Sequence, residues 1–250
     1  MSFNALVLAG SRGGIDDPVA AYAGVGDKAL AVVGDRTMLS RVVATLQQAG
    51  AARIAVVVSS TAVREATLAL GVEVIDAAPG PSESTARGLA LLGAPLLVTT
   101  ADHPLLTAAA IAGFLADTPP DADVAILLAE RAVIERDVPG TKRTYLRFAD
   151  GTWSGCNLFH LATPRAAAAI GLWREVEVNR KQPWRIVRRL SPTLLLRYLL
   201  GRLSLGAALA HIGARIGVSV VAVPAASGRM AVDVDKPADL DLVRRMLATD

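Results

Sequence analysis

The chain has 250 residues, 52% hydrophobic and 20% charged, with 26 Lys and Arg against 23 Asp and Glu, a length that suits one or two domains. Its mean hydropathy is +0.43, much of it from alanine; no uncharged apolar stretch of about 18 residues is present to span a bilayer, and Met1 to Gly10 reads as a first strand rather than a signal peptide. One cysteine, Cys156, and three scattered histidines exclude an internal disulfide, a Cys-based zinc cage and a His cluster, so a reducing cytoplasm is the expected compartment.

The elements alternate from the start. Phe3 to Ala9 is a continuous apolar run, as expected of a strand buried on both faces. Met38 to Ala49 reads as helix and stops at Gly50; Arg53 to Ser59 is the next strand. Helix at Ala62 to Leu70, strand at Val72 to Ile75, helix at Ser84 to Leu92, strand at Pro95 to Thr99, helix at Thr107 to Ala116 and strand at Val124 to Leu128 continue the rhythm. That βαβα order predicts an α/β fold, a Rossmann-like, mostly parallel sheet flanked by helices. After Ala129 the pattern changes. Arg143 to Phe148 and Cys156 to Leu161 read as an antiparallel extension around an Ala149-Asp150-Gly151 turn. Pro164 to Leu172, Pro183 to Leu200 and Leu205 to Ile212 read as helices, Val218 to Val223 as a strand and Pro237 to Leu247 as a closing helix. Residues 1–250 are read as a single domain with a basic helical insertion at 174–216.

Three segments carry chemistry. Leu8-Ala9-Gly10-Ser11-Arg12-Gly13-Gly14 follows the first strand, and Asp27-Lys28-Ala29-Leu30 comes after a loop. Small residues let backbone N–H groups approach an anion, and Arg and Lys supply charge suited to a triphosphate. There is no GxxxxGK[ST] and no GxGxxG opening a helix, so neither a P-loop nor a dinucleotide site is supported; a plain tight turn is the competing reading. The second segment, Thr99 to Leu106, places Asp102 and His103 just beyond an apolar strand, where open α/β sheets bind ligands. A carboxylate there can hold Mg2+ or cap the next turn. The third, Asp233-Val234-Asp235-Lys236-Pro237-Ala238-Asp239-Leu240, offers two carboxylates on one side of an extended segment. Asp235 doubles as a helix N-cap candidate, and Asp233 is the stronger metal candidate.

Together, Leu8-Ala9-Gly10 with Arg12, the Lys28 segment running on to Gly34-Asp35-Arg36-Thr37-Met38-Leu39, Asp102-His103-Pro104-Leu105 and the Asp233 to Leu240 string resemble the MobA-like NTP transferase superfamily. Its members guanylylate or cytidylylate molybdenum cofactor or act on sugar and polyol phosphates. The resemblance implies a GT-A-type fold and an enzyme moving NMP from an NTP, CTP or GTP, to a phosphorylated small-molecule acceptor, with Mg2+ as cofactor. It implies catalytic roles for Lys28, Asp102 and Arg12, and nucleotide contacts from Leu8, Ala9, Gly10, Ser11, Arg12, Gly13, Lys28 and Asp102. It adds Gly80, Ser82 and Ser84 from Gly80-Pro81-Ser82-Glu83-Ser84 as a second nucleotide-contacting segment. It implies acceptor contacts from His103, Asn157 and Arg143, and metal ligands among Asp102, Asp233 and Asp235. Arg12 comes earlier than the family's arginine, no Met follows it, and the run to Lys28 holds Asp16 and Asp17.

The net charge of +3 hides an asymmetry. From Val178 to Val232 there is no Asp or Glu but nine Lys and Arg, so that span is +9 and the rest of the chain −6. With Leu194, Leu195, Leu196, Leu199, Leu200 and Leu203 among the arginines, residues 183–203 fit a lid, an acceptor site, a homodimer contact or a peripheral membrane contact. No nucleic-acid module is recognisable, and nucleic acid is not an expected partner. Two other readings compete: a GT-A-type glycosyltransferase using an NDP-sugar, since Asp233-Val234-Asp235 is a DxD string, and a catalytically silent nucleotide-binding module.

Overall fold

The computed structural model describes residues 2–10, 17–179 and 192–248. Its frame is one large sheet. β1 (Phe3–Ala9), β4 (Ala51–Val58), β5 (Glu73–Asp76), β6 (Leu96–Thr100), β7 (Val124–Glu130) and β10 (Val220–Pro224) are joined by β9 (Gly151–Leu161), in the order β10-β7-β9-β6-β1-β4-β5, with the short β8 (Leu146–Phe148) beside β9. The pairs β1–β4, β1–β6, β4–β5 and β7–β10 are parallel. The strands are rich in Val, Ile and Leu because both faces are covered. β1 has Ala5, Leu6 and Val7 at 0% exposure, as a central parallel strand requires.

β9 is the exception to the parallel rule. It lies antiparallel between β6 and β7, pairing Val98 with Phe159 and Ile126 with the same residue on its other side. The sequence reading finds only its second half, Cys156 to Leu161, and does not place it inside the sheet. It takes Arg143 to Phe148 as a strand, but only Leu146–Phe148 pairs, so Arg143 stands in the loop ahead of it.

Helices α2 (Met38–Gln48), α3 (Thr61–Ala69), α4 (Pro81–Leu92) and α5 (Ala108–Asp117) occur where the periodicity predicts them. Thr37, Ser60 and Thr107 cap α2, α3 and α5 by accepting from the amides of Ser40, Val63 and Ala110. Three features escape the sequence reading: α1 (Pro18–Ala23), α6 (Arg131–Asp137) and the two-residue strands β2 (Val32–Val33) and β3 (Arg36–Thr37), which form their own hairpin around Gly34 at φ +66°. The expected helix at Pro164 begins as a 3-10 turn, Pro164–Ala166, and continues as α7 (Ala167–Asn179). Of the expected helix Pro183 to Leu200, α8 (Pro192–Leu199) is seen; residues 183–191 lie outside the described residues. α9 (Leu205–Ile216) packs on β10, and α10 (Pro237–Ala248) closes the chain.

Two apolar layers flank the sheet. One packs α2 and α5 against Val7, Val56 and Leu97; the other packs α4 and α7 against Leu6, Val57 and Val98. α4 lies so close to β1 that a Cβ on Gly88 would sit 2.4 Å from Leu6 Cδ2. A third cluster joins Val19, Val33, Met38, Val232, Val234 and Leu240, and so brings the C-terminal segment beside the Lys28 turn.

Candidate active site

The carboxyl ends of β1 and β6 open onto a cavity of about 560 Å3, lined by Leu8, Ala9 and Gly10, by Lys28 and Ala29, by Ala77 to Pro81 with Ser84, by Thr100 to Asp102, and by Asn157, Phe159, Trp173 and Asp235. A larger one, about 650 Å3, opens between α9 and β10. Among the described residues, none of the predicted site residues lines it, whereas several line the first.

Each charged side chain is aimed by a local device. The buried carboxylate of Asp27 accepts from the amide of Ala29 at 3.0 Å and caps a 3-10 turn, Lys28–Leu30, which fixes Lys28. Asp102 follows β6, whose path is extended by an Ala101 amide donating to the Leu8 carbonyl at 3.0 Å. The Val234 amide donates to the Asp102 carbonyl at 2.9 Å and draws the tail segment alongside. Asp239 accepts from the Lys236 amide at 2.9 Å and the Asp235 amide at 3.3 Å. Asp239 so reaches back from the first helical turn to the amides ahead of Pro237, and the Asp235 side chain faces the cavity.

These devices converge on Lys28. Its Nζ donates to Asp102 Oδ2 at 2.5 Å, to Asp235 Oδ1 at 3.2 Å and to the Val234 carbonyl at 3.3 Å. Burial pulls the Lys28 pKa down, but Asp102 and Asp235 outweigh it and hold the value above that of ordinary lysine. The group is an ammonium throughout the physiological range. Asp102 Oδ1 and Thr100 Oγ1, both in the cavity wall, are buried with no hydrogen-bond partner. Such polar atoms are costly to leave unmet and mark where a ligand atom fits.

Asp233 is placed differently. Its Oδ1 is paired with Arg143 Nη2 and its Oδ2 accepts from Asn157 Nδ2 at 2.8 Å. Asn157 holds this contact from a left-handed backbone, φ +48°, a region that asparagine tolerates better than most residues. Burial pushes the Asp233 pKa up and the Arg143 guanidinium opposes it. The stronger metal candidate of the sequence is thus engaged on both oxygens and does not line the cavity. Arg143, expected at the acceptor, is the partner that engages it.

The other predicted residues divide. Leu8, Ala9, Gly10, Gly80, Ser84 and Asn157 line the cavity, with Ser84 Oγ accepting from the Ala78 amide at 3.0 Å. Ser82 does not: its hydroxyl donates to Glu177 Oε2 at 2.7 Å, on the side of α7. His103, expected to touch the acceptor, is 1% exposed, and burial lowers its pKa to about 4; it is a neutral core residue. Ser11, Arg12 and Gly13 lie outside the described residues.

Sequence reasoning misses Asp27 as a positioning group and the pair Phe159 and Trp173, stacked at 5.9 Å in the cavity wall. Asp17, one of the two acids in the run to Lys28, also lines the cavity. Asp17 caps α1, accepting from the amides of Val19 and Ala20 at 2.9 and 3.1 Å, and the Asp17-Pro18 pair is the signal for that. Cys156 is buried, its thiol pushed up to about 12 by burial, and supplies no thiolate near neutral pH.

Divalent metal can be tested against these donors. Among the described residues no three or more His, Cys, Asp or Glu gather as a metal cage. Mg2+ commonly takes only one or two carboxylates and completes its shell with water and substrate phosphates. The orphaned Asp102 Oδ1 and the exposed Asp235 carboxylate fit that pattern; Asp233 does not. The two carboxylates of the DxD string face different partners, so they do not act as one ligand pair.

Known proteins share this architecture. The model of the MobA-like NTP transferase domain matches residues 5–214. A structure described as a hypothetical transferase from Thermus thermophilus is 31% identical over 96% of this chain and 100% of its own, with a TM-score of 0.82. CMP:2-keto-3-deoxy-manno-octonic acid synthetase complexed with CTP is 16% identical, covering 100% and 99%, at 0.58. The 2-C-methyl-D-erythritol 4-phosphate cytidylyltransferase of Thermus thermophilus is 17% identical, covering 99% and 100%, at 0.55. These last two share the fold. Among proteins of curated function, none matches the chain.

Proposed function

The chain belongs to the MobA-like NTP transferase family and is a nucleotidyltransferase, and from that premise we propose that it moves NMP from CTP or GTP to a phosphorylated small-molecule acceptor, with Mg2+ as cofactor. The observation that carries the reading is the meeting of Lys28, Asp102 and Asp235 in one cavity, from residues far apart in the chain.

An acceptor phosphate oxygen attacks the α-phosphorus, the α–β phosphoanhydride bond breaks, and pyrophosphate leaves with the bonding electrons. No covalent enzyme intermediate is needed, so positioning and charge neutralisation supply the acceleration. Lys28, permanently protonated, stabilises charge growing on the transferred group. Leu8 to Gly10, Gly80 and Ser84 hold the nucleotide, and Asn157 marks the acceptor side. Asp102 and Asp235 would hold the metal, which neutralises triphosphate charge when bound. Arg12 is proposed as a further phosphate contact. The same reading treats residues 1–250 as one domain carrying the basic insertion at 174–216.

The test is pyrophosphate release from four NTPs against a panel of phosphorylated acceptors with Mg2+. Turnover with one NTP and one acceptor, lost in Lys28→Ala and in Asp102→Asn with unchanged circular dichroism, is expected. Full activity in either variant rejects the assignment. Release of NDP from an NDP-sugar would instead identify a glycosyltransferase.

A further inference from the structure

Helix α8 presents an apolar face to solvent for which the nucleotide site has no use. Leu196, Leu199 and Leu200 are 57%, 71% and 57% exposed, and their i, i+3, i+4 spacing puts them on one stripe. The helix is not a loose end. Its other side rests on β8, where Tyr198 meets Phe148 edge-on at 5.7 Å. It ends at Gly201, φ +64°, with the Gly201 amide donating to the Tyr198 carbonyl at 2.9 Å and the Arg202 amide to the Arg197 carbonyl at 2.7 Å, the paired bonds of a Schellman stop. Just beyond, Leu203 is 3% exposed, its carbonyl accepts from the Ala149 amide at 2.8 Å, and the Leu205 amide donates to Asp150. The leucines are held outward by a fixed frame.

The charge carried by this stretch of chain has one sign, although the exposed carboxylate of Asp150 is brought near its end by the Leu205 amide. Arg197 and Arg202 are exposed beside the stripe, and no Asp or Glu occurs in the chain from 178 to 232. A second copy of the chain is a poor cover for this surface, because a two-fold contact would set its arginines against their own images. Nucleic acid would meet the arginines but leave the leucines in water. An anionic bilayer answers both, with leucines entering the acyl boundary and guanidinium groups meeting phosphate.

We infer that α8, with Arg197 and Arg202, docks the enzyme on the surface of an anionic phospholipid bilayer. Among the described residues no helix is long and apolar enough to cross it, so the contact is peripheral and reversible. It is carried by a surface outside the nucleotide cavity and does not rest on the identity of the NTP or acceptor.

The experiment is co-sedimentation of the full chain, without nucleotide, on phosphatidylglycerol–phosphatidylcholine vesicles and on pure phosphatidylcholine vesicles. Binding to the anionic vesicles that weakens with salt is expected, with little on the neutral ones. Leu196→Gln/Leu199→Gln/Leu200→Gln should lower the partition about tenfold or more, and Arg197→Gln/Arg202→Gln should weaken it while pyrophosphate release in solution is unchanged. The arginine pair serves should the leucine variant not fold. No wild-type binding, or equal binding to neutral vesicles, overturns the inference. So does a wild-type dimer that the leucine substitutions convert to monomer without any vesicle binding.

Discussion

Arg143→Met isolates the pair that anchors the tail segment. The Arg143 and Asp233 side chains are 10% and 15% exposed, so the pair lies largely out of water. Burial already pushes the Asp233 pKa up, and Arg143 is the group that opposes it. Removing the cation leaves a desolvated carboxylate with Asn157 as its remaining donor. Breaking a buried pair this way costs about 3–5 kcal/mol at neutral pH. For a chain of this length that corresponds to a fall in Tm of roughly 6–20 °C. The sign of the pH dependence follows. Without Arg143 the folded-state pKa of Asp233 rises further above its unfolded value, so the deficit belongs to the ionised form. It is full above the folded pKa and shrinks as pH falls and Asp233 takes up a proton. Urea denaturation of wild type and variant at pH 7 and pH 5 measures both effects. A loss under about 1 kcal/mol at pH 7, or one that does not narrow at pH 5, would refute the view of Asp233 as a buried anchor.

Asp235→Asn should behave in the opposite way: the side chain is 62% exposed, so stability changes by less than about 1 kcal/mol, while turnover falls about 100-fold and the Mg2+ concentration for half-maximal rate rises, as a metal titration would show. Gly88→Ala drives a Cβ to within 2.4 Å of the Leu6 side chain, which is fully buried and would have to shift; a loss of about 1–3 kcal/mol is expected by chemical denaturation. His103 is buried and its pKa is lowered to about 4 by that burial, so the unfolded chain takes up the proton first. Stability due to the neutral ring is intact above about pH 6.5 and is lost as pH falls toward 4; His103→Gln should flatten that stretch of the stability–pH curve without reducing activity, and a curve identical to wild type would count against it.

The parallel half of the sheet was legible because each of its strands is an apolar run followed by a helix whose cap or stop is written locally, as at Thr107 and Gly71. β9 was only half legible. Trp153 to Gly155 alternates weakly, and its place between β6 and β7 is fixed by partners distant in sequence. The cavity's backbone walls and Lys28 could be read from small residues after β1 and a lone cation before an apolar pair. The split between Asp233 and Asp235 could not. Both lie on one extended stretch, and what separates them is Arg143 and Asn157, residues in a loop and on a strand that nothing in the string Asp233-Val234-Asp235 announces. His103 failed for a related reason. A histidine beside a candidate metal carboxylate looks reactive in sequence, yet the turn after Asp102 rotates it into the core, where solvent and substrate do not reach.

The ion pairs in the cavity bear on how the site is kept ready. Lys28 has two carboxylate partners, and a triphosphate arriving alone would be repelled by both. Lys28 can turn to a phosphate oxygen only if Asp102 and Asp235 acquire another cation in its place, and the unpartnered Oδ1 of Asp102 is the atom free to accept one first. Nucleotide and divalent cation should therefore bind with positive coupling. The coupling should weaken in Asp102→Asn, because Lys28 then keeps Asp235 alone as a carboxylate partner and the unpartnered carboxylate oxygen is lost. Isothermal titration of NTP at several Mg2+ concentrations reads the effect directly. Nucleotide affinity in the wild type that does not change with Mg2+ would show that the Lys28–Asp102 pair plays no part in admitting the substrate.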